Sequence, residues 1–120
     1  MVLVDTSLWV SHLRKANSHL QKLLVEGEVL CHPFIIGEIA CGNMKNRTEI
    51  LSLLHALPVA QVAEGDELLQ FIENKKIYGL GIGLIDVHLL ASAFLTRASL
   101  WTADKNLQKI ATKLNIIYFS

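Results

Sequence analysis

Short apolar runs alternate with helical repeats of apolar residues along the whole chain. The short runs are continuously or nearly continuously apolar, as buried strands are, and they cover residues 2–4, 28–32, 59–63, 100–102 and 116–119. Apolar residues that recur every three or four positions predict helices after residues 6–7 and over 18–26, 33–42, 47–57, 66–78, 84–97 and 105–114. Apolar strands alternating with helices indicate a parallel sheet covered on both faces. The predicted fold class is α/β.

Length and composition predict one domain over residues 1–120. No Pro-rich, Ser-rich or repetitive stretch suggests an internal boundary. The hydrophobic fraction of 52% lies slightly above the ~45–50% of ordinary globular proteins. The chain can therefore bury a core, and the apolar surplus favours a surface that is covered in a homodimer or by a partner protein.

The sequence predicts a cytoplasmic protein with no membrane segment. No uncharged apolar run approaches the ~20 residues that a membrane helix needs. The first five residues, Met1 to Asp5, lack both the basic and the long apolar region of a signal peptide. The charges balance at 11 basic and 11 acidic residues, which by itself neither favours nor excludes a nucleic acid partner.

Two acids follow predicted strands. Asp5 comes directly after the first strand, and Asp104 follows the 100–102 strand closely. In open parallel sheets, ligands bind beyond the carboxyl ends of the strands, near the point where the strand order reverses. If these two strands are neighbours, both carboxylates open into the same crevice. Each acid taken alone is equally well explained as a turn or helix-capping residue.

Two further acids lie among apolar residues. Asp86 stands in the first turn of the most apolar predicted helix, and Glu38 is framed by isoleucines. An isolated buried charge costs several kcal/mol unless it is paired or bound to a cation. The helix N-terminus offsets only ~0.3–1 kcal/mol of that cost. No Lys or Arg lies near either acid in sequence, although Glu38 also fits an exposed position on the outer face of its helix.

Four carboxylates without a dedicated cation indicate a divalent metal ion with oxygen ligands, for which Mg²⁺ is the usual choice. Such ions assist the hydrolysis of phosphodiesters. In the absence of metal, the four acids would repel one another, and the pKa of one or more of them should rise.

The motifs around these acids resemble those of the PIN-domain ribonucleases, and within them the VapC toxins of bacterial toxin–antitoxin pairs. They are Val-Asp5-Thr-Ser7, Glu38 on a helix, Gly-Leu-Ile-Asp86-Val-His-Leu-Leu-Ala-Ser, and Leu-Trp-Thr102-Ala-Asp104-Lys-Asn-Leu. The resemblance covers essentially the whole chain, and the order of the motifs is kept.

The resemblance implies a five-stranded parallel sheet and an endoribonuclease that uses Mg²⁺ or Mn²⁺. It assigns the catalytic and metal-binding role to Asp5, Glu38, Asp86 and Asp104. It gives a supporting role to the hydroxyls of Ser7 and Thr102. It also implies an RNA substrate, a cognate antitoxin and a homodimer, and it leaves transfer, ribosomal and messenger RNA open as substrates.

Basic residues near the predicted site are candidates for RNA contacts. Lys105, Lys109 and Lys113 recur every four residues on the last helix, just after Asp104. Such a stripe can hold phosphates without reading sequence, and it is equally well explained as a solvated helix face. Arg14 and Lys15, at the end of the first helix, are further candidates.

Other functions fit the pattern less well. A haloacid-dehalogenase-like phosphatase would need an acid where Ser7 stands, and a phospho-acceptor receiver would need neighbouring acids before its acceptor. A non-catalytic RNA- or protein-binding module of the same fold predicts lost acids, whereas all four are present. A structure-specific DNA nuclease would need additional DNA-gripping elements for which this chain is short.

Overall fold

The computed structural model describes residues 1–119. Its helices lie close to the predicted boundaries. The strands are β1 (Val2–Val4), β2 (Val29–Leu30) and β3 (Ser99–Trp101). The helices are α1 (Thr6–Arg14), α2 (Ser18–Val25), α3 (Pro33–Ala40), α4 (Arg47–His55), α5 (Gly65–Lys75), α6 (Leu84–Thr96) and α7 (Lys105–Lys113). The α/β class predicted from the sequence is confirmed.

The sheet differs from the prediction, because within residues 1–119 it has three parallel strands in the order β2-β1-β3. The prediction of five strands is wrong. The two other apolar segments lie beside the sheet but pair through single parallel bridges, Cys31 with Val59 and Leu100 with Ile117. In one outer segment, Val59 is 52% exposed, and the preceding Pro58 has no N–H to donate to a neighbouring strand. Neither outer segment therefore extends into a full strand.

The order of the strands determines which helices cover each face. The chain moves outward from β1 to β2 and on to the Val59 bridge, then crosses back to β3 on the other side of β1. Because parallel crossovers are almost always right-handed, α1 to α4 cover one face and α5 to α7 cover the other. The strand order reverses at β1, so the crevice between the ends of β1 and β3 is the expected binding position.

A single apolar cluster surrounds β1. Its fully buried side chains come from all three strands and from most of the helices, and include Leu3, Leu89, Leu90 and Leu100. As its pattern predicts, α6 is central, and six of its residues are buried. No helix in the described part of the chain is both long enough and apolar enough to span a membrane.

Candidate active site

Asp5 is the residue through which β1 passes into α1. Its side chain is only 7% exposed, and it is the N-cap of α1, where Oδ1 accepts a 2.8 Å hydrogen bond from the Thr6 amide. The other carboxylate oxygen, Oδ2, accepts hydrogen bonds from two hydroxyls, Ser7 Oγ at 2.9 Å and Thr102 Oγ1 at 2.8 Å. Three hydrogen bonds therefore fix this carboxylate at the carboxyl end of the central strand.

The same two hydroxyls tie the loop after β3 to Asp5. Ser7 Oγ accepts a hydrogen bond from the Ala103 amide at 3.1 Å, and Thr102 Oγ1 accepts one from the Asp104 amide at 3.1 Å. Each hydroxyl donates to Asp5 and accepts from the backbone of this loop. The position of Asp104 relative to Asp5 is thus set by a closed hydrogen-bond network across the ends of β1 and β3.

Asp104 is the N-cap of α7. Its Oδ1 accepts a 2.8 Å hydrogen bond from the Leu107 amide, which leaves Oδ2 without a donor among the described residues. Capping and site roles are compatible here, because an N-cap uses only one of the two carboxylate oxygens. The structure places Asp104 at the same edge of the sheet as Asp5.

Glu38 reaches this edge from the last turns of α3. It is exposed, and its Oε1 accepts a 2.6 Å hydrogen bond from Thr6 Oγ1 at the start of α1. Thr6 is a residue that the sequence predicts only as a helix cap. Its contact with Glu38 spans 32 positions, and no local pattern in the sequence signals such a pairing.

Asp86 stands in the first turn of α6, half-buried. Burial, followed by the negative charges of Asp5, Asp104 and Glu38, raises the pKa of Asp86 to about 6. The structure therefore brings the four acids (Asp5, Glu38, Asp86, Asp104) close enough to repel one another. The expected rise in pKa is found at the acid with the most apolar surroundings.

No basic side chain neutralises the four acids. The ion pairs within residues 1–119 are Met1–Glu28 and Lys22–Glu26, and both lie elsewhere. Unneutralised carboxylates with free oxygens are suitable ligands for a hard divalent cation. As they stand, no three Asp, Glu, His or Cys side chains of the described residues form a ready-made metal site. The donor set fits a divalent ion by its chemistry and charge.

Comparison with known proteins bears on the fold and family of this chain. The sequence profile of the PIN domain matches residues 2–113. The chain belongs to the PIN-domain family. It is 43% identical over 109 residues to Ribonuclease VapC32 from two strains of Mycobacterium tuberculosis, CDC 1551 / Oshkosh and ATCC 25618 / H37Rv, covering 90% of this chain and 88% of the relative. The resemblance to VapC-type PIN ribonucleases is confirmed.

A solved structure shares the fold of this PIN domain. PAE2754 from Pyrobaculum aerophilum superimposes with a TM-score of 0.61 at 18% identity, over 91% of this chain and 78% of that one. At that identity the likeness concerns the fold alone.

A buried histidine connects the two helices of the PIN domain that carry Glu38 and Asp86. His32 is fully buried at the N-cap of α3, where Nδ1 accepts from the Phe34 amide at 3.0 Å. Because Nδ1 is the acceptor, Nε2 carries the proton and donates to Ser92 Oγ of α6 at 3.1 Å. Burial, followed by the charge of nearby His88, lowers the pKa of His32 to about 4. The sequence analysis missed this link, which spans 60 positions.

The predicted RNA-contacting residues of this PIN domain lie at different distances from the four acids. Lys105 and Lys109 are exposed on the first two turns of α7, directly after Asp104, and Lys113 is on its last turn. Arg14 and Lys15 lie at the opposite end of α1 from Asp5, about 13 Å away along the helix axis. The structure groups Lys105 and Lys109 with the acids and separates Arg14 and Lys15 from them.

Proposed function

We propose that this PIN domain is an endoribonuclease that hydrolyses RNA phosphodiester bonds with Mg²⁺ or Mn²⁺, as the toxin of a toxin–antitoxin pair. The observation that carries the proposal is the set of four acids at one edge of the sheet with no neutralising cation within residues 1–119, where burial and then repulsion raise the pKa of Asp86 to about 6. An uncompensated charge of this kind is costly without a bound cation. We infer that the protein acts in the cytoplasm, where a toxin meets RNA, and that residues 1–120 form one domain.

The residues that would hold the ion are Asp5, Glu38, Asp86 and Asp104. When bound, a divalent ion neutralises charge on the scissile phosphate and lowers the pKa of a water molecule. The chain's own part is positioning. Ser7 and Thr102 hold the Asp5 carboxylate, the Leu107 amide holds Asp104, and Thr6 holds Glu38. Among the four acids, Asp86 accepts no hydrogen bond from a side chain or amide that the structure describes. A bound cation would therefore stabilise its charge the most.

We infer that water, rather than the ribose 2′-hydroxyl, attacks the phosphate. A ribonuclease that uses the 2′-hydroxyl needs a base close to it, commonly a histidine. His32 is fully buried with a lowered pKa, and Nδ1 of His88 is buried without a partner among the described residues. Neither is suited to that role, and Nε2 of His19 is already engaged with the Tyr118 hydroxyl at 2.6 Å. Hydrolysis by water leaves a 5′-phosphate and a 3′-hydroxyl.

The test is mass spectrometry of RNA ends after cleavage in Mg²⁺, in Mn²⁺ and in EDTA. We expect 5′-phosphate and 3′-hydroxyl products that disappear in EDTA and with Asp86→Asn. Asp66→Asn is the matched control, because Asp66 also lies in the first turn of a helix but is exposed and outside the four acids. Cyclic 2′,3′-phosphate products, or full activity in EDTA, contradict the mechanism.

We infer that the antitoxin silences the site by charge. A basic side chain reaching Asp5 or Asp86 can replace the charge of the cation. Co-expression with the neighbouring open reading frame should relieve growth arrest. A chain that is harmless when it is expressed alone contradicts the toxin proposal.

An apolar groove between α1, α2 and α4 is the surface that we propose for the apolar part of the antitoxin. It has a volume of about 230 Å³, and its walls include Leu13, Leu24 and Leu53, the last 69% exposed. Trp9 also lines it, and the buried Nε1 of this indole has no partner among the described residues. Leu53→Glu should weaken antitoxin binding and leave RNA cleavage intact. If it instead changes the mass measured by sedimentation, the groove is the contact of the predicted homodimer.

A further inference from the structure

A second cavity, of about 260 Å³, lies at the carboxyl end of β3, at the edge of the sheet that also carries Asp5. Thr102, whose hydroxyl donates to Asp5, forms part of one wall. The facing wall is the C-terminal segment. Ile117 bridges in parallel to Leu100, so residues 118 and 119 reach the edge at which β3 ends. Thr102 therefore connects this cavity to the Asp5 carboxylate.

Aromatic rings form the walls of this cavity. The rings of Trp101 and Tyr118 lie 5.5 Å apart and are tilted by 52°. His19 fixes both, since its Nε2 is 2.6 Å from the Tyr118 hydroxyl and its ring packs edge-on against Trp101. Phe119 also lines the cavity, is 79% exposed, and stacks on no other ring within residues 1–119. A large exposed ring beside two fixed ones is a surface on which a flat ligand can stack.

The polar lining offers a hydrogen-bond acceptor. Gln108 donates from Nε2 to the Thr102 carbonyl at 2.8 Å. Its amide is therefore oriented, and Oε1 accepts no hydrogen bond from the described residues. The N–H groups at the edge of a base can donate to such an oxygen. The volume lies just below the ~300–1,000 Å³ of sites for drug-sized ligands, which suits one planar base.

Lysines adjoin the cavity on α7. Lys105 and Lys109 line a shallow depression that shares Gln108 and Thr112 with it. Positive groups that follow a phosphate backbone, next to aromatic rings that stack bases, are the combination by which proteins hold single-stranded nucleic acid. Here Lys105 and Lys109 lie on the first two turns of α7 after Asp104, and the aromatic rings line the adjoining cavity.

We propose that this cavity is a nucleobase subsite, which stacks the base next to the scissile phosphate of a single-stranded RNA between Phe119 and the Trp101–Tyr118 pair. The inference rests on the proposed nuclease function, because it gives that site a contact with RNA beyond the phosphate. Stacking accepts any base. Stacking in the subsite therefore positions any unpaired nucleotide, and Gln108 Oε1 adds an acceptor for a base that turns an N–H group towards it.

The test uses uridine and adenosine 5′-monophosphate, with ribose 5-phosphate as the ligand that lacks a base. None of them contains a phosphodiester, so binding is read without cleavage. In ¹H–¹⁵N NMR titrations, both nucleotides should shift the Trp101 indole and the Tyr118 amide, whereas ribose 5-phosphate should not. Phe119→Ala should raise the Kd by roughly fivefold or more, the loss of one base–aromatic stack. Phe119→Trp should restore binding.

Phe94→Ala is the matched control, because Phe94 is also partly exposed but lies in the C-terminal half of α6. Equal shifts with ribose 5-phosphate mean that only phosphate binds, and they overturn the proposal. Unchanged affinity in Phe119→Ala overturns it as well. If no nucleotide binds but RNA is still cleaved in Mg²⁺, the subsite proposal is wrong and the nuclease proposal is supported. If nucleotides bind but RNA is not cleaved, the nuclease proposal is wrong.

Discussion

The four acids of the site differ in how many hydrogen bonds stabilise their carboxylates. Asp5 accepts three hydrogen bonds, Asp104 accepts one from an amide, and Glu38 accepts one from a hydroxyl. Asp86 is left with burial and repulsion alone, and both raise its pKa. The residue with the least local support therefore carries most of the electrostatic strain of the metal-free protein.

This strain predicts a stabilising but inactivating substitution. The pKa of Asp86 is about 6 in the folded protein and ~3.9 in an unfolded chain. The folded state binds the proton more tightly, so this group raises the free energy of unfolding as pH falls from 7 towards 4. At pH 7 in EDTA, Asp86→Asn should stabilise the protein by about 1–2 kcal/mol, after discounting for solvent screening.

Thermal unfolding of Asp86→Asn and of the Asp66→Asn control in EDTA, at pH 7 and pH 5, checks this prediction. The difference between the two variants should be large at pH 7 and smaller at pH 5. A marked loss of stability in Asp86→Asn at pH 7 would instead make Asp86 a structural acceptor, and the metal site would be reduced to the other three acids.

His32 has the opposite effect on stability. Its pKa is about 4 in the folded protein and ~6.5 when unfolded. The unfolded chain binds the proton first, so stability is lost as pH falls from 6.5 towards 4, by up to about 3 kcal/mol. His32→Asn keeps an acceptor for the N-cap of α3 and removes the titration.

Urea unfolding at pH 7 and pH 4.5 separates these effects. His32→Asn should be less stable than the parent at pH 7, because the bond to Ser92 is lost, but it should lose less stability on acidification. His55→Asn replaces an exposed histidine and should follow the parent. Parallel losses in the parent and His32→Asn would exclude His32 as the group responsible.

The sequence predicted where the four acids and the hydroxyls of Ser7 and Thr102 lie better than it predicted the longer-range contacts around them. Asp5 and Asp104 were predicted because a local rule places ligands at strand ends, and Asp86 because a charge in an apolar helix needs an explanation. The contacts of Thr6 with Glu38 and of His32 with Ser92 join residues far apart in the chain. Such pairings depend on how helices pack, and nothing periodic in the sequence encodes them.

At the scale of elements, the helices form where their apolar repeats predict them. The two outer apolar runs, by contrast, do not form the strands that they predict. An amphipathic repeat determines a helix from its own residues. A strand exists only where a neighbour supplies hydrogen bonds, so apolar residues 59–63 and 116–119 could not reveal that each forms a single bridge. The parallel order itself followed from the alternation of elements.

The lysines of α7 supply the prediction at this scale. Replacing Lys105, Lys109 and Lys113 with Gln should weaken RNA binding uniformly across sequences. Each phosphate contact on a single strand contributes ~0.7 to the slope of log K against log salt, so the slope should fall by about two. Lys45→Gln, in an exposed loop, is the control. Fluorescence titrations at several salt concentrations measure the slope. An unchanged slope would mean that the lysines form a solvated helix face and do not contact RNA.

For the whole molecule, the balance of charge hides an asymmetry. The chain has equal numbers of acidic and basic residues, but four of the acids belong to one site. Once a cation occupies that site, the rest of the surface is mildly basic, which favours a polyanion. Metal binding therefore links the chemistry to the attraction of RNA.

Binding energy at the site should appear in global stability. A ligand that binds only the folded state stabilises it by about 2.7 kcal/mol at 100 times its Kd. Mg²⁺ should raise the Tm of the parent and of Asp66→Asn, and raise that of Asp86→Asn much less. Calorimetry across a series of Mg²⁺ concentrations measures this. Equal increases in all three proteins would point to non-specific ion effects.

The single bridge between Leu100 and Ile117 also has a consequence for motion. Two backbone hydrogen bonds hold this segment to β3, Leu100 N to the Ile116 carbonyl and Tyr118 N to the Leu100 carbonyl. Segments with so few bonds open locally while the rest stays folded. In hydrogen–deuterium exchange, residues 116–119 should exchange well before residues 2–5 of the central strand. The cavity wall formed by residues 117–119 can then move to fit substrates of different shape. The carboxylates stay attached to the central strand, which should exchange most slowly.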